Sequence, residues 1–160
     1  MRLALIVALA VATATGLTAR AAPPEVSCGT IIGGVASGRA AGYRIVLGVV
    51  SVPPAYRAQV VTSGSGPWPF WRKAGLVVHA DAGPVTVRVS RAWRRRVAIE
   101  WGNSGIVSAL RIARCPRGVK AWNAWAGGFH LRRSACVPLV FSVGRRSATV
   151  RFGLGRRCGR

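Results

Sequence analysis

The chain is 160 residues long and carries 24 Lys and Arg against 3 Asp and Glu, a formal net charge of +21 at pH 7. Three acids leave little for paired-carboxylate catalysis or metal ligation, so hydrolytic and metal-dependent chemistry are poorly provided for. A surface this basic attracts polyanions wherever it meets them.

Met1-Arg2 is a short positive start, and Leu3 to Leu17 is an uncharged run rich in Ala, Leu and Val. Ala19-Arg20-Ala21 then offers an A-x-A pattern ahead of Pro23-Pro24. This is the anatomy of a secretory signal peptide, cleaved after Ala21 or Ala22. The apolar run falls short of the ~20 residues a membrane span needs, and no cysteine stands at the cleavage point for lipid attachment. Residues 1–21 are expected to be a leader and residues 22–160 one secreted domain, with no membrane span after cleavage. Arg2 and Arg20 leave with the leader, so the domain keeps 22 basic and 3 acidic residues, a net +19.

Along that domain the apolar period is two almost everywhere. Ile45 to Val52 is apolar on both faces, as in a central strand, and Pro54 to Val60 suits a short helical turn. Ser63-Gly64-Ser65-Gly66-Pro67 signals a turn, leading into an aromatic-rich loop around Trp68, Phe70 and Trp71. Leu76 to Val78 reads as a second central strand. Val85, Val87 and Val89 alternate with Thr86, Arg88 and Ser90, and Ala92 to Arg96 suits another helical turn. Val97, Ile99 and Trp101 alternate with Ala98 and Glu100, and Leu110 and Ile112 flank Arg111. Gly127-Gly128 suits a tight turn or a bulge where chains approach closely. Val137, Leu139, Phe141 and Val143 form one row, and Ala148, Val150, Phe152 and Leu154 another, with Gly144-Arg145-Arg146 between them as a hairpin link. These runs predict an all-β domain, a single immunoglobulin-like β-sandwich of about seven to nine antiparallel strands. A small closed β-barrel is the alternative.

The four cysteines are Cys28, Cys115, Cys136 and Cys158. An even number in a secreted chain reads as two disulfides, with three connectivities open. The expected pairing is Cys115–Cys136 across one excursion and Cys28–Cys158 joining first strand to last, although loop-closure entropy favours no choice decisively. Trp122 and Trp125 are placed to pack over the first of these bridges. Zinc is a poor rival, because neither His79 nor His130 lies near a cysteine at ligand spacing.

Trp122-Asn123-Ala124-Trp125-Ala126-Gly127-Gly128-Phe129, then Cys136-Val137-Pro138-Leu139, then Val150-Arg151-Phe152-Gly153-Leu154-Gly155 leading into Cys158, form a pattern, with Pro69 to Gly75 and Val97 to Asn103 upstream. Over residues 68 to 158 it resembles an uncharacterised family of small secreted disulfide-bonded β-domains from high-GC bacteria. The resemblance implies a disulfide-stapled β-domain outside the cell, and it carries no catalytic residue, because the family has no assigned activity.

Ile31-Ile32-Gly33-Gly34 and Gly102-Asn103-Ser104-Gly105 mimic fragments of a trypsin-like protease, with His79 and Asp81 as would-be triad partners. The length is too short for two barrels, Asn103 stands where that family needs an Asp, and His79 and Asp81 lie too close along one strand for the required geometry. Glu25, Asp81 and Glu100 are the whole acid inventory. Glu100 is expected to ion-pair with Arg94-Arg95-Arg96, and His79 to be a lone hydrogen-bonded histidine. No catalytic residue, metal site or cofactor site is therefore assigned.

The remaining signal is arginine, with 22 Arg and only Lys73 and Lys120 as lysines. Clusters stand at Arg91 with Arg94, Arg95 and Arg96, at Arg132-Arg133, at Arg145-Arg146, and at Arg156-Arg157 with Arg160. Trp93 sits inside the first and suits stacking or cation–π contact. The guanidinium fork binds phosphate and carboxylate in bidentate fashion. These residues predict a non-catalytic module, secreted or cell-wall associated, whose partner is an anionic polymer or membrane surface: phospholipid, teichoic acid, acidic polysaccharide or, non-specifically, nucleic acid. The second expectation is an extracellular protein-interaction domain, adhesin or inhibitor, using Trp68, Phe70 and Trp71. A small hydrolase using Glu100 or Asp81 is third.

Overall fold

The computed structural model describes residues 21–39, 42–55, 57–117 and 120–159. The expected leader up to Arg20, and Arg160, lie outside them. Strands make up 52 % of the described residues, and the fold is all-β and not a closed barrel. Fourteen strands occur among the described residues: β1 Glu25–Val26, β2 Ile31–Val35, β3 Arg44–Val46, β4 Val50–Val52, β5 Thr62–Ser65, β6 Trp68–Lys73, β7 Leu76–His79, β8 Val85–Val89, β9 Val97–Trp101, β10 Ala109–Ile112, β11 Trp122–Trp125, β12 Gly127–Leu131, β13 Ala135–Val143 and β14 Arg146–Leu154. The number exceeds the seven to nine expected, because several runs are broken into short paired pieces.

One sheet has the order β1-β10-β8-β13-β14, a second β2-β11-β7-β4-β3 and a third β5-β6-β12-β9. All pairings are antiparallel except β1 with β10. The second and third sheets are two halves of one bent surface. β6 runs on into β7 through Ala74-Gly75, β11 into β12 through Ala126, and the two long strands pair throughout. At the bend the Ala74 amide donates to the Gly127 carbonyl and the Gly102 amide to the Ala126 carbonyl. This bent surface packs against the first sheet, giving a sandwich-like core. Phe129 of β12 meets Phe152 of β14 at 5.2 Å and Trp101 at 5.6 Å, and all three are buried.

The alternating rows account for this burial. Val85, Val87 and Val89, then Val137, Leu139 and Phe141, then Val150, Phe152 and Leu154 are all buried, while Arg88, Thr149 and Arg151 face solvent. The β13–β14 hairpin pairs all nine residues of each strand around Gly144-Arg145, with Gly144 at φ 55°. Ile45 to Val52 is not one central strand. It folds back at Leu47 (φ 53°) and Gly48 (φ 78°), so β3 pairs with β4 as a hairpin and only β4 lies between neighbours. The segment at Ala92 is a 3-10 turn over Arg91–Trp93, and the one after Pro54 is a tight turn closed by the Arg57 amide on the Pro54 carbonyl.

Both disulfides form, with a pairing other than the expected one: Cys28–Cys115 and Cys136–Cys158. The sheet order explains the difference. β1 lies parallel to β10, with Val26 opposite Ile112, so each chain reaches its cysteine a few residues later on the same side, Cα atoms 5.6 Å apart. The first and last strands are the two edges of one five-stranded sheet. Four inter-strand spacings separate them, about 19 Å, far beyond the reach of a disulfide. Trp122 and Trp125 accordingly pack elsewhere. Trp125 Nε1 donates to the Ser27 carbonyl, and Trp122 covers Gly38 and receives His79 edge-on at 5.0 Å. Two disulfides fit an extracellular protein, and no helix among the described residues is long and apolar enough to cross a membrane.

Candidate functional site: a basic pole and the sheet face beside it

Three of the four arginine clusters, far apart in the chain, converge at one end of the sandwich. β9 pairs with β12 so that Val97 faces Leu131, and one step further the Arg132 amide donates to the Arg96 carbonyl at 3.0 Å. β13 pairs with β14 so that Ala135 faces Leu154, and beyond it the Cys136–Cys158 bridge holds residues 155–158 against this end. Gly155 lies so close to Ser134 that a Cβ would overlap the Ser134 hydroxyl. Arg91, Arg94, Arg95, Arg96, Arg132, Arg133, Arg156 and Arg157 thus share one pole. Of these, Arg91, Arg95, Arg132, Arg133, Arg156 and Arg157 are exposed. Arg91, Ala92, Arg95 and Arg96 line an open depression there.

Local chemistry fixes the 90–96 loop. Trp93 is half-buried against the core, the Arg96 amide donates to its carbonyl, and the Arg96 guanidinium lies over the Trp93 ring, 4.5 Å from its centroid. Arg94 donates to the Val89 carbonyl and Arg96 to the Ala92 carbonyl. Trp93 is therefore already partnered by an arginine of its own loop.

Arg145 and Arg146 are not part of this pole. They sit at the β13–β14 turn, at the far end of nine-residue strands, about 26 Å away. There Arg146 donates to the Leu47 carbonyl.

The aromatic run is a strand, not a loop. Trp68, Phe70 and Trp71 lie on β6, where Phe70 packs against the core. Trp71 pairs with His130 across the sheet, their rings 4.5 Å apart. A Cβ at Gly128 would come 3.0 Å from the far edge of the Trp71 indole. The glycine therefore leaves room for the ring to lie across the sheet. Trp68, beside the turn at Gly66-Pro67, reaches the same face, 6.4 Å from His130 and with the Arg132 guanidinium 5.6 Å from its centroid.

Sequence reasoning missed the partner of Glu100. It is His130, whose Nε2 lies 2.8 Å from Glu100 Oε2, and not the Arg94-Arg95-Arg96 cluster. The register explains this. Glu100 and Gly128 share one cross-strand row and His130 and Ala98 the next, so the bare glycine leaves the diagonal open. The arginines belong to the loop beyond the strand, where Arg94 donates to the Val89 carbonyl and Arg96 to the Ala92 carbonyl. The signal available in sequence was a histidine and a glutamate on the wet faces of two alternating runs. The His130 side chain is 12 % exposed and that of Glu100 37 %.

The other chemistry-bearing residues have structural partners. Asp81, in a turn at φ 66°, lies 3.9 Å from Arg117, and Glu25 pairs with Arg111. His79 rests on Trp122. In the protease-like fragment, Asn103 Oδ1 accepts from the Ser27 amide. Ser104 Oγ accepts from the Trp101 amide and donates to the Gly105 carbonyl, closing the turn after β9. No group of three potential metal ligands occurs among the described residues.

Neither a protein-family model, nor a curated protein, nor a solved structure matches this chain.

Proposed function

We propose that this is a secreted, non-catalytic module that binds anionic polymers or surfaces outside the cell through its basic pole. The single observation that carries the reading is the convergence of Arg91–Arg96, Arg132-Arg133 and Arg156-Arg157, brought from three separate chain segments to one end. Guanidinium groups held on short, backbone-tied loops lose less freedom on binding than the same charges on a flexible tail, and each can grip phosphate or carboxylate with two donors. Release of counterions by such contacts makes affinity fall steeply with salt.

The test compares the oxidised domain with Arg95→Gln/Arg133→Gln/Arg156→Gln and with Arg145→Gln/Arg146→Gln on a polyanion between about 50 and 300 mM salt. If the pole is the site, the triple variant flattens the slope of log K against log salt by roughly three, and the double variant has a smaller effect per charge removed. Equal effects per charge at both ends would mean that the whole surface attracts and that no site exists. The aromatic-loop reading is weakened by Phe70, which is held in the core packing and is not free for a partner.

A further inference from the structure

The outer face of the third sheet carries an arrangement that the basic pole does not explain. Its rows, read across the strands, are Lys73, Gly128 and Glu100, then Thr62, Trp71, His130 and Ala98, then Arg132 beside Arg96 at the border with the pole. A solvent-facing sheet surface is ordinarily covered by flexible polar side chains. Here the edge of the Trp71 indole reaches over a glycine, its ring 4.5 Å from that of His130, and a second indole, Trp68, lies 6.4 Å from the same histidine. Beside them stands a carboxylate, one oxygen held by His130 and the group still partly open to solvent.

We propose that this face is a platform for sugar rings, and that the polyanion bound by the domain is an acidic polysaccharide. The proposal rests on the polyanion reading of the adjacent pole. The apolar C–H face of a pyranose stacks on an indole, and a fixed carboxylate accepts hydrogen bonds from its hydroxyls. Arg132, which borders Trp68, and the arginines beyond it would take the acidic substituents. Glu100 separates this ligand from the other polyanions. A run of phosphates or a plane of anionic headgroups crossing Trp71 would bring negative charge against a carboxylate still partly open to solvent, which is unfavourable. An acidic polysaccharide presents hydroxyls between its charges and meets both features with the right group.

The experiment titrates the oxidised domain with polygalacturonate, inorganic polyphosphate and phosphatidylglycerol vesicles at about 150 and 300 mM salt, following tryptophan fluorescence and heat of binding. Polygalacturonate is expected to persist at the higher salt where the other two are lost. Trp71→Ala should weaken it about tenfold while leaving polyphosphate unchanged. Glu100→Gln gives a test of sign: it removes a negative charge, so it should strengthen polyphosphate binding and weaken polygalacturonate. If both variants move the two polymers in the same direction, or if polyphosphate or vesicles outlast polygalacturonate, the platform is refuted and the basic pole stands as a general polyanion site. If no polyanion is held at the lower salt, both the platform and the pole reading fall.

Discussion

Removing the Cys136–Cys158 bridge by Cys136→Ser/Cys158→Ser tests the link between the fold and the basic pole. The bridge spans 22 residues and encloses the β13–β14 hairpin, whereas Cys28–Cys115 spans 87. On the chain-entropy model these loops are worth about 3.4 and 4.6 kcal/mol. At a few degrees per kcal/mol for a domain of this size, the thermal midpoint should fall by roughly 7–14 °C for the first bridge and 9–18 °C for the second. The two variants separate on function. The hairpin keeps its nine-pair ladder and its buried row from Val137 to Leu154. Without the bridge, however, Arg156 and Arg157 are tethered chiefly by the Gly155 amide on the Gln59 carbonyl. Polyanion affinity at about 150 mM salt should therefore drop for Cys136→Ser/Cys158→Ser, when measured well below its melting point, and hold for Cys28→Ser/Cys115→Ser. Denaturation monitored by tryptophan fluorescence gives the stabilities, and non-reducing peptide mapping gives the pairing. An unchanged midpoint in the first variant, or a peptide joining Cys115 to Cys136, would refute the reasoning.

Gly128→Ala places a Cβ against the Arg72 carbonyl group, with the edge of the Trp71 ring also within contact. It should cost about 3 kcal/mol or more, seen as a lower urea midpoint, because neither strand can yield without breaking its ladder. Trp101→Phe keeps most of the buried volume but removes the indole N–H that donates to the Ala74 carbonyl at 2.7 Å. It should cost about 1–3 kcal/mol in chemical denaturation, since that carbonyl sits at the bend between two sheets. A bound polyanion at about a hundred times its Kd should stabilise the fold by about 2.7 kcal/mol, read as a rise in the thermal midpoint that disappears at high salt.

The alternating rows of β8, β13 and β14 were legible because one face of each is buried and one is wet, and so was the hairpin at Gly144-Arg145-Arg146, although Arg146 already belongs to the second strand. The fold-back at Leu47-Gly48 was not. A leucine at positive φ is paid for by context and has no composition signal. Disulfide pairing failed for a different reason. It depends on strand order within a sheet, and local periodicity carries no information about which strands are neighbours. The candidate site shares that limit. The arginine clusters could be named residue by residue, but their meeting depends on β9 lying beside β12 and β13 beside β14. The His130–Glu100 contact is subtler still, a diagonal pair thirty positions apart that exists because Gly128 has no side chain to fill the space.

Arginine in this quantity invites the reading that coding composition alone supplied it, and the placement of the acids bears on that reading. Each of the three carboxylates has a nitrogen partner: Glu25 has Arg111, Asp81 has Arg117 and Glu100 has the His130 ring. None of the three stands in the loops that form the basic pole. Arginines on the sheet faces, such as Arg88 and Arg151, are spaced along strands and surrounded by neutral residues. Those of the pole are packed into short loops that a disulfide and main-chain hydrogen bonds hold together. Like charges confined in this way repel, and the folded state bears the cost. A domain shaped only by composition would lower that cost readily, with a single glutamate in any of these loops. The same confinement turns to advantage once an anion is present, since the repulsion is relieved and the guanidinium groups are already in place. On the proposed reading, the basic pole is an arrangement awaiting a counter-charge, and the salt-dependent comparison of the domain's two ends is what separates that reading from an inert solvated surface.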